Sequence, residues 1–460
     1  MRTMLPRRLI LSALLVASVA LAGAAWHIAT RTRVENQSYG SALQQAMSTV
    51  GSEHSLRAVE PRAGLRGFAT KRYIIFSQLS DETTLDVARR LEAMYDYYAS
   101  RFAKVIYPIN FPKQVYLFNN RADFVAAGGH RMMPGQWMSG HDSNLGARVM
   151  MIFHEGNIVA FMSSCPLLYH EAFHQFVSVE IAQAGNVNRM WPLWLDEAYA
   201  TKFNNITWTG DGWVDGNLRM EYASSAADGI KSFIPLRRLL NITGAGWHRL
   251  TNQGSIWPVY MQGMSLVYFL NHTADGKYRE LLSDYVERVS TGQDTSAAAA
   301  KIIGLQAEFQ DWAEQNMSPH ITAAKYYEIL TAMATSQLAR AHARGQWFAS
   351  GREFLAKAKA NELKKPAVDH ADWLPDSLRK EMLHYHETLT ESNKPFEFNI
   401  SYPLAGGTPV VRVYQPRFGL ELEGTFELDP TGKVLNVAVR YVRCPSLNLE
   451  EAKLAVGTID

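Results

Sequence analysis

A chain of 460 residues is too long for one ordinary hydrophobic core, and 47% apolar with 20% charged residues describes a globular protein of two or three domains. Lys and Arg (46) nearly balance Asp and Glu (44), and no basic cluster stands in the body of the chain, so a nucleic-acid partner is not expected. No repeat of fixed period is present, which excludes a solenoid or propeller.

The first 25 residues are read apart from the fold. Arg2, Arg7 and Arg8 precede an apolar run from Leu9 to Ala25 that contains Ala20-Leu21-Ala22 and Ala22-Gly23-Ala24. A basic start, an apolar stretch and small-residue cleavage sites describe a secretory signal peptide. The alternative is an uncleaved anchor attached to the inner membrane. Spanning takes roughly 17–25 apolar residues, and Trp26-His27-Ile28 would extend the run to that length. Both readings put the body of the chain outside the cytoplasm, periplasmic or secreted. Two cysteines, Cys165 and Cys444, are each followed by proline. In an oxidising compartment they form a disulfide or remain two unrelated buried thiols.

Residues 26–66 lack periodicity and read as a linker. Tyr73-Ile74-Ile75-Phe76 is a strand, and Ser80 or Asp81 caps a helix whose Leu85, Ala88, Leu91, Met94, Tyr95 and Tyr98 recur at helical spacing. Val115 to Phe118 is a second strand and Arg121 to Ala127 a short helix. Val149 to Ile152 and Ile158 to Phe161 read as a hairpin, and a helix begins at Pro166, where a missing N–H is harmless. From Leu167 to Asn316 the pattern is mainly helical, broken by a turn-rich loop around Gly210-Asp211-Gly212 and Asp215-Gly216-Asn217. That loop lacks the alternate acidic residues and closing Glu of a calcium site. A helical segment, 317–394, follows. Residues 395–460 form a small antiparallel β module with Asp429-Pro430-Thr431-Gly432 as a turn.

The chemistry is concentrated in two segments. In Tyr169-His170-Glu171-Ala172-Phe173-His174 the imidazoles stand four residues apart, on one face of a helix, and converge on one metal ion. Glu171, beside the first histidine, reaches a water on that metal as general base. His-Glu-x-x-His arises by chance in roughly a few per cent of chains this long, so the second segment decides. Trp194-Leu195-Asp196-Glu197-Ala198-Tyr199-Ala200 follows, with twenty-two residues between His174 and Glu197. A helix returning antiparallel offers Glu197 as a third ligand, and its apolar neighbours would make an unpaired carboxylate expensive. Zinc with three protein ligands and a water position fits this set.

His170-Glu171-x-x-His174 with Trp194-Leu195-Asp196-Glu197-Ala198-x-Ala200 resembles the gluzincin metallopeptidases, in particular a little-studied bacterial peptidase-like branch, over residues 67–316. The resemblance implies an α+β, zincin-like domain: a mixed sheet, the His-Glu-x-x-His helix and then a mainly helical subdomain. It implies peptide-bond hydrolysis by zinc-activated water, with an edge strand, here Ile158 to Phe161, aligning a peptide or protein substrate. Asp196 and Ala198 depart from the Asn and Gly of many relatives. Thr201 stands where several carry an acidic residue that orients a zinc-bound histidine, so that support must come from elsewhere. The absence of a Gly-x-Met-Glu-Asn motif shifts the expectation from aminopeptidase to endopeptidase. An oxyanion donor is also needed. Tyr260, Tyr222 and His248 are candidates, and Tyr260 is preferred because Tyr260-Met261-Gln262-Gly263-Met264 resembles a recurrent segment of these relatives. His130, His141 and His154 read as ordinary loop residues. Two alternatives stay open: a catalytically silent scaffold on the same fold, and a zinc amidase acting on cell-wall material.

Overall fold

Side-chain alternation along three parallel strands builds the first sheet. β1 (Arg57–Arg62) pairs antiparallel with β2 (Leu65–Ala69), and β2 with β3 (Tyr73–Ser77). The helix α1 (Asp81–Arg101) then leads to β4 (Lys113–Phe118), parallel to β3. After α2 (Arg121–Ala126) come β5 (Gly135–Met138) and β6 (Val149–Phe153), giving the order β1-β2-β3-β4-β6-β5. Every residue of β3, β4 and β6 is buried, as both faces of the sheet are covered. Ile75, Val115, Leu117, Met150 and Ile152 join Val87, Leu91, Met94 and Tyr98 of α1 in the main core. Ile74, Phe76, Tyr116, Met151 and Phe153 join Phe124 of α2 in a second cluster on the opposite face. Ser80 is the cap of α1, accepting from the Thr83 N–H at 3.2 Å.

The computed structural model describes residues 57–62, 64–107, 112–131, 135–138, 149–153, 166–181, 191–204, 206–208, 213–214, 233–252, 256–273, 276–316, 319–364, 376–392, 396–403, 407–416 and 419–443. The N-terminal segment, the expected strand Ile158 to Phe161, Tyr222, His141, His154, Cys165 and Cys444 lie outside them. Among the described residues no helix is long and apolar enough to cross a membrane. One boundary shifts: β1 belongs to the sheet although it falls within the stretch read as a linker.

The middle of the chain is helical. α3 (Pro166–Phe176) starts at the expected proline and runs into a π-helical turn, Val177–Ile181. α4 (Leu193–Phe203) follows, then two-residue strands β7 (Thr207–Trp208) and β8 (Trp213–Val214) on either side of residues 209–212. Six further helices come next: α5 (Leu236–Leu240), α6 (Gly244–Asn252), α7 (Trp257–His272), α8 (Arg279–Thr291), α9 (Ser296–Gly304) and α10 (Gln306–Asn316). Their apolar faces extend the core that α1 and α3 share with the sheet.

The last third has its own core. α11 (Pro319–Ala343) covers an antiparallel sheet of order β12-β11-β10-β9, made of β9 (Glu397–Ser401), β10 (Val410–Gln415), β11 (Leu420–Leu428) and β12 (Val434–Arg443). At the expected turn Asp429 Oδ1 accepts from the Thr431 and Lys433 N–H groups, and Gly432 takes φ 84°. α12 (Gly351–Lys359) and α13 (Asp376–Ser392) complete this part.

α13 belongs to both halves: Leu378 packs in the main core, Met382 and Leu389 in the C-terminal one. Between them Glu381 Oε2 lies 3.3 Å from Arg90 Nη2 of α1, with 3% and 1% of the two side chains exposed. Arg90 also donates to the Tyr169 hydroxyl at 3.1 Å and faces Asp86 Oδ1 at 3.4 Å. Removing one partner of a buried ion pair strands the other charge, so Glu381→Ala should lower the unfolding free energy by about 3 kcal/mol. A denaturant titration checks this; a loss below about 1 kcal/mol would place Arg90 with its remaining partners alone.

Candidate metal centre

Helix geometry brings the two histidines together. His170 and His174 are one turn apart on α3, their ring centroids 4.6 Å and their Nε2 atoms 3.0 Å apart. α4 packs on α3 and carries Glu197 to the same point. Its Oε2 lies 3.2 Å from His170 Nε2 and 3.4 Å from His174 Nε2. Aromatic packing fixes the crossing: Phe173 of α3 meets Tyr199 and Phe203 of α4 at 5.9 and 4.8 Å between centroids. All three expected ligands are therefore adjacent, and among the described residues they form the one group of three or more His, Cys, Asp or Glu side chains placed to hold a metal.

The donor set fits a divalent ion. Glu197 Oε2 is buried without a well-directed hydrogen bond, although two imidazole nitrogens face it. Such an oxygen is costly unless a cation draws on its lone pairs. Two imidazoles and one carboxylate are borderline and hard donors of the kind zinc accepts. The side chains of His170, His174 and Glu197 keep 12%, 11% and 14% of their exposure, enough for a water or substrate atom to reach them.

The missing support for the histidines is Asp196. Its Oδ2 stands 3.0 Å from His174 Nδ1, which leaves Nε2 facing Glu197 and His170. Thr201, the position considered for this role, is buried on the same helix. The sequence held the signal, an Asp directly before the third ligand, but it registered only as a departure from the related pattern.

Electrostatics follow from this crowding. Burial alone would lower the His174 pKa, but the charges and hydrogen bonds of Asp196 and Glu197 outweigh it and hold the imidazole well above its ordinary value. Burial would raise Glu197, but the two histidines overcome it and hold the carboxyl below the usual carboxylate range.

Glu171 is buried on the flank of α3 that faces β5, where its Cγ lies 3.3 Å from the position a Cβ on Gly135 would take. Tyr260, on the first turn of α7, lies beside the centre. Its ring stacks at 6.4 Å and 24° on His170 and packs at 5.2 Å on Trp247 of α6. Its hydroxyl hydrogen-bonds Glu197, and burial, then the charges of Glu197, Glu171 and Asp196, push its pKa far up, so it remains a donor. α7 comes this close because Gly263, one turn beyond Tyr260, sits on Ala198: a Cβ there would lie 3.2 Å from Ala198 Cβ and 3.4 Å from Trp194 O. His130 is exposed, is not among the residues grouped at the centre, and donates its backbone N–H to Gln136 Oε1 of β5 at 2.9 Å; the side chain of His248 is outside the described residues.

Compared with profiles of known families, with curated proteins and with solved structures, the chain has no significant match.

Two pH effects follow. In metal-stripped protein the raised His174 pKa stabilises the fold fully below its unfolded value of about 6.5, and the gain fades as pH rises through the folded pKa. The lowered Glu197 pKa stabilises above about 4.5, and that gain is lost as pH falls through the folded value. Unfolding midpoints measured in chelator should therefore be highest between about pH 4.5 and 6.5, all else equal. Zinc must also displace the His174 proton, so loading at pH 7 should release about one proton per chain, and fewer in Asp196→Asn. Calorimetry in buffers of different ionisation enthalpy measures this; release unchanged by Asp196→Asn would assign the proton to another group.

Proposed function

We propose that the protein is an exported zinc-dependent peptidase with a zincin-like catalytic part, acting as an endopeptidase on peptide or protein substrates. The observation that carries the reading is the meeting of His170, His174 and Glu197 at one point, with Glu171 and Tyr260 beside it. The basic-then-apolar N-terminus supports export.

His170, His174 and Glu197 would hold the metal, and bound there zinc supplies Lewis acidity and lowers the pKa of a water at its open position. The chain's own groups then carry the proton traffic. Glu171 takes a proton from the attacking water as its oxygen bonds to the peptide carbon, and returns it to the departing amine as the C–N bond breaks. The protonated Tyr260 hydroxyl donates to the oxygen that gains charge. Asp196 fixes the tautomer of His174. Among the described residues β5 ends the six-stranded sheet beside α3, which supports the reading that an extended substrate pairs on that side of the sheet.

Elemental analysis of the mature protein beside Glu197→Ala is the first test: about one zinc per chain is expected, lost or much weakened in the variant. No zinc after reconstitution would sink the reading. With a peptide substrate in hand, Glu171→Gln should keep the metal and lower kcat by at least about a hundredfold, whereas His174→Ala loses both. Tyr260→Phe should lower kcat by about a hundredfold with little change in KM.

A further inference from the structure

We infer that Gly135 is a positioning residue for Glu171: the strand β5 holds the base in place because one of its residues lacks a side chain. The inference rests on the zinc-peptidase reading above. β5 pairs antiparallel with β6 in the register Gly135↔Ile152, Gln136↔Met151, Trp137↔Met150 and Met138↔Val149. Ile152 and Met150 belong to the core cluster that α3 shares, while Met138, Met151 and Val149 belong to the cluster on the opposite face. By the two-residue period of a strand, Gly135 therefore faces α3.

The space where its side chain would stand is taken. A Cβ on Gly135 would lie 2.7 Å from Leu167 Cδ2, 2.9 Å from Leu167 Cγ and 3.3 Å from Glu171 Cγ. Leu167 and Glu171 are four residues apart, so one stripe of α3 presses on the backbone of β5. Leu167 anchors the contact. The Glu171 methylene lies against a fixed strand, which limits the rotamers its carboxylate can take, and Glu171 is 7% exposed. The ligands are outside this contact: His170, His174 and Glu197 meet on the side of α3 that faces α4. Base position and metal affinity are thus separable, and a methyl group on Gly135 disturbs the first and spares the second.

A hydroxamate probe reads the base without turnover. When acetohydroxamate chelates zinc as its anion, the proton it loses passes to a neighbouring carboxylate, so its affinity depends on where that carboxylate stands. Zinc affinity is measured by chelator competition and acetohydroxamate affinity by calorimetry on zinc-loaded, full-length protein. Gly135→Ala should hold zinc within about twofold of wild type and bind acetohydroxamate about tenfold more weakly, the same loss expected of Glu171→Gln. In the Glu171→Gln background the added Gly135→Ala change should cost less than about twofold, because the two act through one group. Should Gly135→Ala not fold, Gly135→Ala/Leu167→Ala set against Leu167→Ala gives the same comparison with the Leu167 clash removed. Equal loss of zinc and hydroxamate binding, undiminished loss in the Glu171→Gln background, or no loss at all would overturn the inference while leaving the zinc site standing. Wild-type protein that binds no zinc would overturn both.

Discussion

Two carboxylates and two imidazoles share a pocket largely closed to water, and the crossing of α3 and α4 leaves them nowhere else to go. Asp196 and Glu197 are neighbours on α4, and both face His174, at 3.0 and 3.4 Å. Two negative groups so close in a poorly solvated site repel one another and lose hydration, unless positive charge stands between them. A proton on His174 would supply that charge, and Asp196 and Glu197 push its pKa upward, in the direction that favours it. A divalent cation supplies more, and it also engages Glu197 Oε2, which has no well-directed hydrogen bond. The arrangement of these four groups suits a cation, which is what the proposed function asks of it.

The surrounding elements keep that crowding in register. Behind α3, the Tyr98 hydroxyl donates to the Tyr169 carbonyl at 2.6 Å, beside His170 in the chain. Past the second histidine the helix widens into its π turn, and Glu180 there pairs at 2.5 Å with Lys113 of β4, both side chains almost wholly buried. Burial lowers the Lys113 pKa and the Glu180 charge opposes that, so the pair survives by mutual support. α3 is thus tied to α1 before its ligands and to the sheet after them. On the other side α7 approaches through Gly263, so Tyr260 faces Glu197 and not solvent.

What could be read from the sequence was what local periodicity and spacing encode. β3, β4 and β6 contain the apolar runs Tyr73 to Phe76, Val115 to Phe118 and Val149 to Phe153, α1 has one apolar face, and the π turn aside, α3 starts at a proline that signals its own position. The meeting of His170 and His174 was legible because i, i+4 spacing is geometry written in the chain. Polar or short elements were not. β1 reads Arg-Ala-Val-Glu-Pro-Arg, with the charge and proline that an edge strand tolerates and no alternation to find. β5 has four residues, and its meaning for the site lies in the absence of a side chain on Gly135, visible only once α3 is packed beneath it. Asp196 sits next to Glu197 in sequence, but that it turns to His174 depends on how α4 is rolled against α3. The tie between Arg90 and Glu381 spans 291 positions and has no local trace.

That tie also bears on what the last third of the chain is for. The sheet of β9 to β12 contributes no group to the centre among the described residues. A detachable accessory domain meets its neighbour through a hydrated, polar surface that each part can expose alone. Here α13 sends Leu378 into the main core and Glu381 to an arginine that is 1% exposed. Separating the halves would leave Arg90 charged with one carboxylate fewer and open apolar surface on both sides. Arg90 in turn donates to the hydroxyl of Tyr169, so the C-terminal part is linked to α3 one residue from His170. Through Glu381, Arg90 and Tyr169 the C-terminal part and α3 are joined by buried polar contacts, so a change in one is felt at the other.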